Sequence, residues 1–153
     1  MKTGTARDNY KPNDDYFTPK WIFDKLNVVF DLDVCGPSIQ CNVPSIKTYT
    51  IDEDGLSQNW VGSVWMNPPF SKQKPWVNKF IEHGNGIALL PWYRSQHLLK
   101  IWNLADAVCM LPPNLKFDHL VDGHKSIFSA CGLFAFGDQN VEALKNMEER
   151  VRK

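Results

Sequence analysis

The sequence lacks the patterns that most often identify a cofactor or a metal. It contains no GxGxxG motif, which argues against a dinucleotide site of the usual kind. Its four cysteines show no CxxC spacing and its four histidines show no metal-ligand spacing, so no bound metal is expected. No Ser-His-Asp or Cys-His arrangement is recognisable in the order of residues either.

Long apolar runs are also missing. The first residues do not resemble a signal peptide, and no segment approaches the length of a membrane span. We therefore expect a protein of the cytoplasm, without a membrane partner and with its cysteines reduced.

The length of 153 residues suits one hydrophobic core and is too short for a second sizeable domain. Residues 1–13 are polar, and we expect them to form a flexible N-terminal arm ahead of a single domain over residues 14–153. Strands alternate with helices along this domain. The alternation predicts an α/β fold with a mainly parallel sheet, in which the last strand can be antiparallel.

Individual elements are readable from Thr18 onward. Thr18 is a good N-cap, Pro19 suits a first helical turn, and apolar spacing predicts a helix that continues to Phe30, where a strand follows. The other predicted elements are strands over residues 61–66, 86–91, 106–111 and 126–136, and helices after Pro75, over residues 96–104 and from Val141 to Val151.

The segment Asn67-Pro68-Pro69-Phe70 follows a predicted strand, at the edge where ligands bind in open α/β sheets. The two prolines fix φ and remove two N–H donors, so the carbonyl groups are held rigidly. The Asn67 side-chain oxygen and the Pro68 carbonyl can accept both hydrogens of a planar amino group, while Phe70 stacks on the ring that carries it. The alternative is a tight turn followed by a core aromatic residue.

A second candidate site lies upstream, where Asp33 ends a predicted strand and Gly36 follows. Glycine lets the backbone approach a ligand closely, and a carboxylate at this place can bind an amino group or ribose hydroxyls of a nucleoside-type cofactor. The alternative is an ordinary turn-forming or capping aspartate.

Four segments in this order resemble the motifs of phage-type Dam DNA N6-adenine methyltransferases. They are Asp15-Tyr16-Phe17-Thr18-Pro19, Phe30-Asp31-Leu32-Asp33-Val34, Asp54-Gly55-Leu56 with Trp60, and Asn67-Pro68-Pro69-Phe70. The resemblance implies a Rossmann-like methyltransferase fold, S-adenosylmethionine as cofactor and a flipped adenine in DNA as substrate. The chain is too short for a separate target-recognition domain, and its compartment would be the host cytoplasm if a phage encodes it.

The resemblance also implies roles for individual residues. The cofactor would be bound by Thr18, Pro19, Asp33, Cys35, Gly36, Asp54 and Leu56, and the catalytic residues would be Asn67, Pro68, Pro69 and Phe70. Cys35-Gly36-Pro37 departs from the glycine-rich turn that is usual in the broader class. Asp52 and Glu53 are candidates for a ribose contact or, equally, for a solvated acidic turn.

The net charge is zero, but the charges are unevenly distributed. Residues 1–67 carry six basic and nine acidic side chains, whereas residues 68–116 carry six basic and two acidic ones. We expect this second segment to meet DNA phosphates, although solvated surface charge explains any one of its cations as well. A homodimer would double the few contacts expected. The cations concerned are Lys72, Lys74, Lys79 and Arg94.

The implied chemistry is direct methyl transfer. Asn67 and Pro68 accept the amino hydrogens, which raises the electron density on a poorly nucleophilic nitrogen, and this nitrogen attacks the cofactor methyl group in line. Loops of this type also serve methylation of adenine in RNA and of glutamine in proteins. A catalytically silent relative that binds nucleic acid, and a structural α/β protein without a ligand, are the remaining alternatives.

Overall fold

A computed structural model describes residues 16–37, 42–112, 116–119, 123–126, 130–147 and 151–152. The predicted N-terminal arm lies outside these residues. The strands are β1 Tyr16–Phe17, β2 Phe30–Asp33, β3 Ser45–Thr48, β4 Val64–Met66, β5 Gly86–Pro91, β6 Ala107–Met110, β7 Lys116–His119, β8 Gly123–Ser126, β9 Cys131–Phe136 and β10 Val151–Arg152. The helices are α1 Lys20–Leu26, α2 Lys74–His83, α3 Gln96–Leu104 and α4 Asp138–Lys145.

Seven of the strands form one sheet in the order β10-β6-β9-β5-β4-β2-β3. The pairs β2/β3, β2/β4 and β4/β5 are parallel, while β9 is antiparallel to both of its neighbours, β5 and β6. The prediction of a mixed α/β fold with a mainly parallel sheet is confirmed. The antiparallel strand β9 lies inside the sheet, and the short strand β10 pairs antiparallel with β6 at its edge.

Helices cover both faces of this sheet, because its strands bury side chains on both sides. On one face the buried residues Ile22, Leu26 and Leu144 of α1 and α4 pack with Trp65. On the other face α2 and α3 bury side chains against β4, β5 and β9. The site that forms at one edge of the sheet is therefore held by a double-sided core.

The first helix is shorter than its apolar spacing predicts. It ends at Leu26 because Asn27 takes a left-handed conformation, with φ of 52°, as its C-cap. Val29 is then 67% exposed, and Phe30 begins β2 as a buried strand residue. At the other end, Thr18 does not cap the helix, and Pro19 occupies the capping position. The prediction of a helix from Thr18 to Phe30 is thus wrong at both ends.

Three further predictions need correction. In the β segment expected over residues 126–136, Ser126 is the last residue of β8 and Cys131 is the first residue of β9, which belongs to a different sheet, while residues 127–129 lie outside the described residues. The last predicted helix ends at Lys145, and Val151 lies in β10. Strand β4 is also shorter than expected, whereas the predictions for residues 86–91 and 96–104 match β5 and α3.

The strands β1, β7 and β8 form a separate antiparallel sheet, in which β7 is central. Its first strand leads directly into the segment that carries Thr18 and Pro19. In the part of the chain described here, no helix is both long and apolar enough to cross a membrane.

Candidate active site

The order of the strands reverses between β2 and β4. From β2 the chain crosses to β3 on one side, then returns to pair as β4 on the other side of β2. In open α/β sheets a ligand binds at the carboxyl edge, where the parallel strands end, next to such a reversal. The residues that follow β2 and β4 at this edge are the two groups singled out in the sequence, around Asp33 and around Asn67.

The Asn67-Pro68-Pro69-Phe70 loop follows β4 without a gap. The Pro69 carbonyl accepts a hydrogen bond from the Lys72 N–H at 3.2 Å, which closes a tight turn. None of the described residues donates to the carbonyl of Pro68. Phe70 is half-buried and packs against the core of the α1 face.

Thr18 joins the segment before α1 to this loop. Its hydroxyl oxygen accepts a hydrogen bond from Asn67 Nδ2 at 3.0 Å, and its carbonyl accepts one from Asn42 Nδ2 at 2.9 Å. Thr18 is only 3% exposed. Because the amide nitrogen of Asn67 is bound to Thr18, the orientation of the Asn67 side chain is fixed. The sequence assigned these two residues to different tasks and did not indicate that they touch.

Asp33 is the buried carboxylate of the site. It is 1% exposed, and Oδ1 accepts a hydrogen bond from the Cys35 N–H at 3.3 Å. Burial raises the pKa of Asp33 to about 7, and the hydrogen bond from Cys35 opposes this rise. A carboxylate with so little internal compensation is poised to bind a cation or several donors.

Gly36 allows the loop after β2 to fold back over Asp33. A Cβ atom at Gly36 would lie 2.2 Å from Thr48 Cγ2 and 2.8 Å from Asp33 Oδ2, so no side chain fits there. The Gly36 N–H donates to the Tyr49 carbonyl at 2.9 Å, and the Tyr49 N–H donates to the Asp33 carbonyl at 2.8 Å. These bonds tie the loop to the end of β3 and enclose the carboxylate.

Asp54 and Leu56 are brought to the same place by a short 3-10 turn, Gly55–Ser57. A Cβ atom at Gly55 would lie 2.0 Å from the Val34 carbonyl oxygen, so the turn packs directly on the residue that follows β2. Asp54 itself adopts a left-handed conformation with φ of 59°, which is uncommon for a residue other than glycine. The cofactor-binding residues expected from the two motifs therefore lie together.

The family model for DNA N-6-adenine-methyltransferase (Dam) matches residues 6–114, a range that includes all of these loops. The chain belongs to the Dam family. A DNA N-6-adenine-methyltransferase of Haemophilus phage HP1 (strain HP1c1) is 33% identical over 96 residues, which are 56% of this chain and 54% of that protein. The match thus spans about half the length of this relative. The family predicted from the ordered motifs is confirmed.

In this Dam-family chain Lys79, which was expected to contact DNA, instead forms contacts within the protein. Its ammonium donates to the carbonyls of Leu56, at 2.8 Å, and of Gln58, and it lies over the Trp60 ring at 5.1 Å. Burial lowers the pKa of Lys79, and the carboxylates of Asp54 and Glu82 oppose this change. Lys79 thus links α2 to the turn that carries Asp54 and Leu56.

The other three cations expected to meet DNA are exposed. Lys72 and Lys74 lie between the Asn67 loop and the first turn of α2, and Arg94 lies in the loop that follows β5. Because β4 and β5 are adjacent and parallel, these side chains stand near the carboxyl edge of the sheet. Their contact with DNA stays a prediction.

The loop after β5 also carries two aromatic residues with different environments. The Trp92 ring packs in the core, 5.3 Å from Phe134, and its buried indole N–H finds no acceptor among the described residues. Tyr93 is 41% exposed. It borders an open groove of about 670 Å³, which is lined by Trp92, Tyr93, Arg94, Ser95, Gln96, Leu98, Leu99 and Trp102. Core packing therefore accounts for Trp92, and Tyr93 is the accessible member.

The acidic turn after β3 is partly self-contained. The Glu53 carboxylate accepts hydrogen bonds from the Thr50 N–H and the Thr50 hydroxyl, and these bonds lower the pKa of Glu53. Over the described ranges no group of acidic, histidine or cysteine side chains is arranged to hold a metal. Within the described residues Cys35, Cys109 and Cys131 form no disulfide, and burial raises the pKa of Cys131 to about 12.

Proposed function

We propose that the protein transfers a methyl group from S-adenosylmethionine to the exocyclic N6 of adenine in DNA, by direct in-line attack. The observation that carries this proposal is the meeting of the Asp33 loop and the Asn67 loop at the reversal of strand order, with Thr18 joined to Asn67. Membership of the Dam family supports it. On this proposal the sheet is a Rossmann-like methyltransferase fold.

The residues after β2 fit a small cationic cofactor. Asp33 offers a buried carboxylate, and Gly36 lets the loop after β2 pack closely over it. An ammonium group bound there would favour the ionised form of Asp33 and lower its pKa from the raised value. S-adenosylmethionine, when bound, supplies an electrophilic methyl group. Asp54 and Leu56 would hold its adenosine part, and Thr18 and Pro19 would line its methionine part.

The loop after β4 fits the amino group of adenine. The amide nitrogen of Asn67 donates to Thr18, and on this proposal the amide oxygen accepts one hydrogen of the substrate amino group. The Pro68 carbonyl is a second rigid acceptor. If both accept hydrogens from the same amino group, its lone pair is withdrawn from the ring and becomes available for attack. Catalysis would then consist mainly of positioning, without a covalent enzyme intermediate.

Phe70 would stack on the adenine ring. Because it is packed against the core on one side, its ring is held in place before the substrate arrives. A base can reach it only after leaving the duplex, since the target atom is inaccessible inside a base stack. Flipping of the adenine is therefore part of the proposal.

The test is transfer of a labelled methyl group from S-adenosylmethionine to duplex DNA, with the product nucleoside identified by mass spectrometry. We expect N6-methyladenine and no other modified nucleoside. RNA of the same sequence and a glutamine-containing peptide serve as alternative substrates. Methylation of either one in place of DNA, or binding of DNA without turnover, would contradict the proposal.

A further inference from the structure

A second groove lies between α2 and α3, with a volume of about 430 Å³. It is lined by Lys74, Asn78, Gln96, His97, Leu99, Lys100 and Asn103. This lining includes two lysines and a histidine, and it includes no carboxylate. Lys100 Nζ donates to Asn78 Oδ1 at 3.4 Å, so the Lys100 side chain extends from α3 across the groove to α2. The groove is therefore a place of positive potential with polar walls.

Gln73, at the N-cap position of α2, lies next to Lys74 in the chain and contacts His97, and both of these residues line the groove. It is 6% exposed, and its Oε1 atom lies 3.4 Å from His97 Nε2. Its Nε2 atom is buried and has no acceptor among the described residues. A buried amide donor without an acceptor is unfavourable, and it suggests that an acceptor arrives with a ligand.

The environment of His97 agrees with this electrostatic character. Burial lowers the pKa of His97, and the positive charge of Lys74 lowers it further. Both α2 and α3 begin at this end of the groove, so the partial positive charges of two helix N-termini add to those of the side chains. An anion in the groove would offset the positive charge of the lysines and of the two helix N-termini.

We propose that the α2/α3 groove binds a phosphate of the DNA backbone next to the nucleotide presented to Asn67, through Lys74, Lys100, His97 and the Gln73 amide. The proposal rests on the proposed function, since DNA must be the substrate. DNA is favoured over a free anion because Lys74 follows Phe70 by four residues, which puts the groove beside the catalytic loop.

A charge-matched pair of variants tests the proposal in binding experiments without turnover. Lys100→Ala removes a groove lysine, whereas Lys145→Ala removes an exposed lysine of α4, on the opposite face of the sheet. We expect Lys100→Ala to weaken binding of unrelated duplexes by about 3- to 10-fold and to reduce the slope of log affinity against log salt by about 0.9. Lys145→Ala should leave both close to the parent values.

The imidazole of His97 supplies an independent readout by NMR. We expect addition of a short DNA duplex to raise the pKa of His97, and Lys100→Ala to reduce this rise. Inorganic phosphate at the same phosphate concentration should produce a much smaller change. A response to inorganic phosphate alone would mean a free-anion site and would overturn the assignment to DNA.

The outcomes separate this proposal from the function on which it rests. If the protein methylates DNA while Lys100→Ala and Lys145→Ala bind DNA equally, the groove is not a phosphate site and the methyltransferase proposal stands. If the parent protein neither binds nor methylates DNA, both proposals fail. A selective loss of affinity and salt slope in Lys100→Ala, together with the His97 response, supports the groove as a DNA contact.

Discussion

The two edges of the central sheet bury polar side chains in opposite ways. At the amino edge, Asn140 is 2% exposed, and its Nδ2 donates to Asn85 Oδ1 at 2.9 Å and to the Phe136 carbonyl at 2.8 Å. Its Oδ1 accepts from the Ser63 hydroxyl at 3.0 Å. This amide is well satisfied and connects α4 to the starts of β4 and β5, so it contributes to the stability of the fold.

At the carboxyl edge the buried polar groups are poorly compensated. Among the described residues the Asp33 carboxylate accepts one hydrogen bond, at 3.3 Å, and Gln73 Nε2 has no acceptor. Such groups destabilise a fold, since each gives up its contact with water without a full replacement. Their concentration at the edge predicted to bind ligands indicates that ligands complete them. On the proposed function, the amino edge therefore stabilises the fold and the carboxyl edge binds ligands.

The largest effect should come from Asn67, because on our proposal it acts on the reacting amino group. Asn67→Ala should lower the rate of methyl transfer by about 100- to 1000-fold, the loss typical of one positioned hydrogen-bonding group in a catalytic site. Its melting temperature and cofactor affinity should change little. Asn59→Ala, at an exposed asparagine, is the matched control. If Asn67→Ala transferred methyl groups at the parental rate, Asn67 would have no part in the mechanism.

Ionisation of Asp33 should lower the stability of the fold and strengthen cofactor binding. The pKa of Asp33 lies near 7 in the folded protein and near 3.8 in the unfolded chain, so the folded state holds a proton that the unfolded state has released. Stability should therefore fall as pH rises from about 4 to about 7, by about 2–4 kcal/mol, and then level off. Asp33→Asn should abolish this fall and be the more stable protein at pH 8.

Cofactor binding measured by calorimetry completes the test of Asp33. The ionised carboxylate is the form that attracts an ammonium group, so the affinity of the parent for S-adenosylmethionine should rise as pH passes through about 7. Asp33→Asn should bind about 10-fold more weakly or worse and should lose this pH dependence. Equal affinity of both proteins at pH 8 would show that Asp33 does not contact the cofactor.

Substitution of Asn140 tests the structural role of the amino edge. Asn140→Ala should lower the free energy of unfolding by about 2–3 kcal/mol, because the partners of its amide are left without hydrogen bonds in a buried place. The rate of transfer per folded molecule should stay close to that of the parent. Denaturant unfolding measures the first quantity, and an assay well below the midpoint measures the second. A large loss of rate in a folded Asn140→Ala protein would break the division between the two edges.

The sequence predicted the parts of the site that are local in the chain. The Asn67 loop and the Asp33 loop were predicted from local patterns, and the strand over 86–91 has clear glycine and proline boundaries, whereas the Asp54–Leu56 segment was expected from the family resemblance alone. Contacts between distant segments were not predictable. The bond between Thr18 and Asn67 spans 49 positions, and nothing local marks it. Nothing in the sequence distinguishes Lys79 from an exposed lysine, and only the structure shows that its ammonium donates to backbone carbonyls.

The errors in the elements have two causes. The apolar residue Val29 continues the spacing of α1, and this spacing was followed in preference to the local stop signal of Asn27, a residue type that often ends helices in a left-handed conformation. The insertion of β9 between β5 and β6 depends on pairing over long separations, which a pattern of alternation does not specify. Buried polar networks such as that of Asn140 are likewise tertiary features.

The smallest effect should come from Gln73, because its amide has a small expected effect both on stability and on DNA binding. Gln73→Met keeps the length of the side chain and removes a buried donor that lacks an acceptor, at the cost of a weak 3.4 Å contact with His97. We expect it to raise the free energy of unfolding by about 0.5–1 kcal/mol while weakening DNA binding about 3-fold. Gln73→Glu, which adds a negative charge beside the groove, should weaken DNA binding more. A Gln73→Met protein with lower stability and unchanged DNA affinity would assign this amide to the fold, as at Asn140.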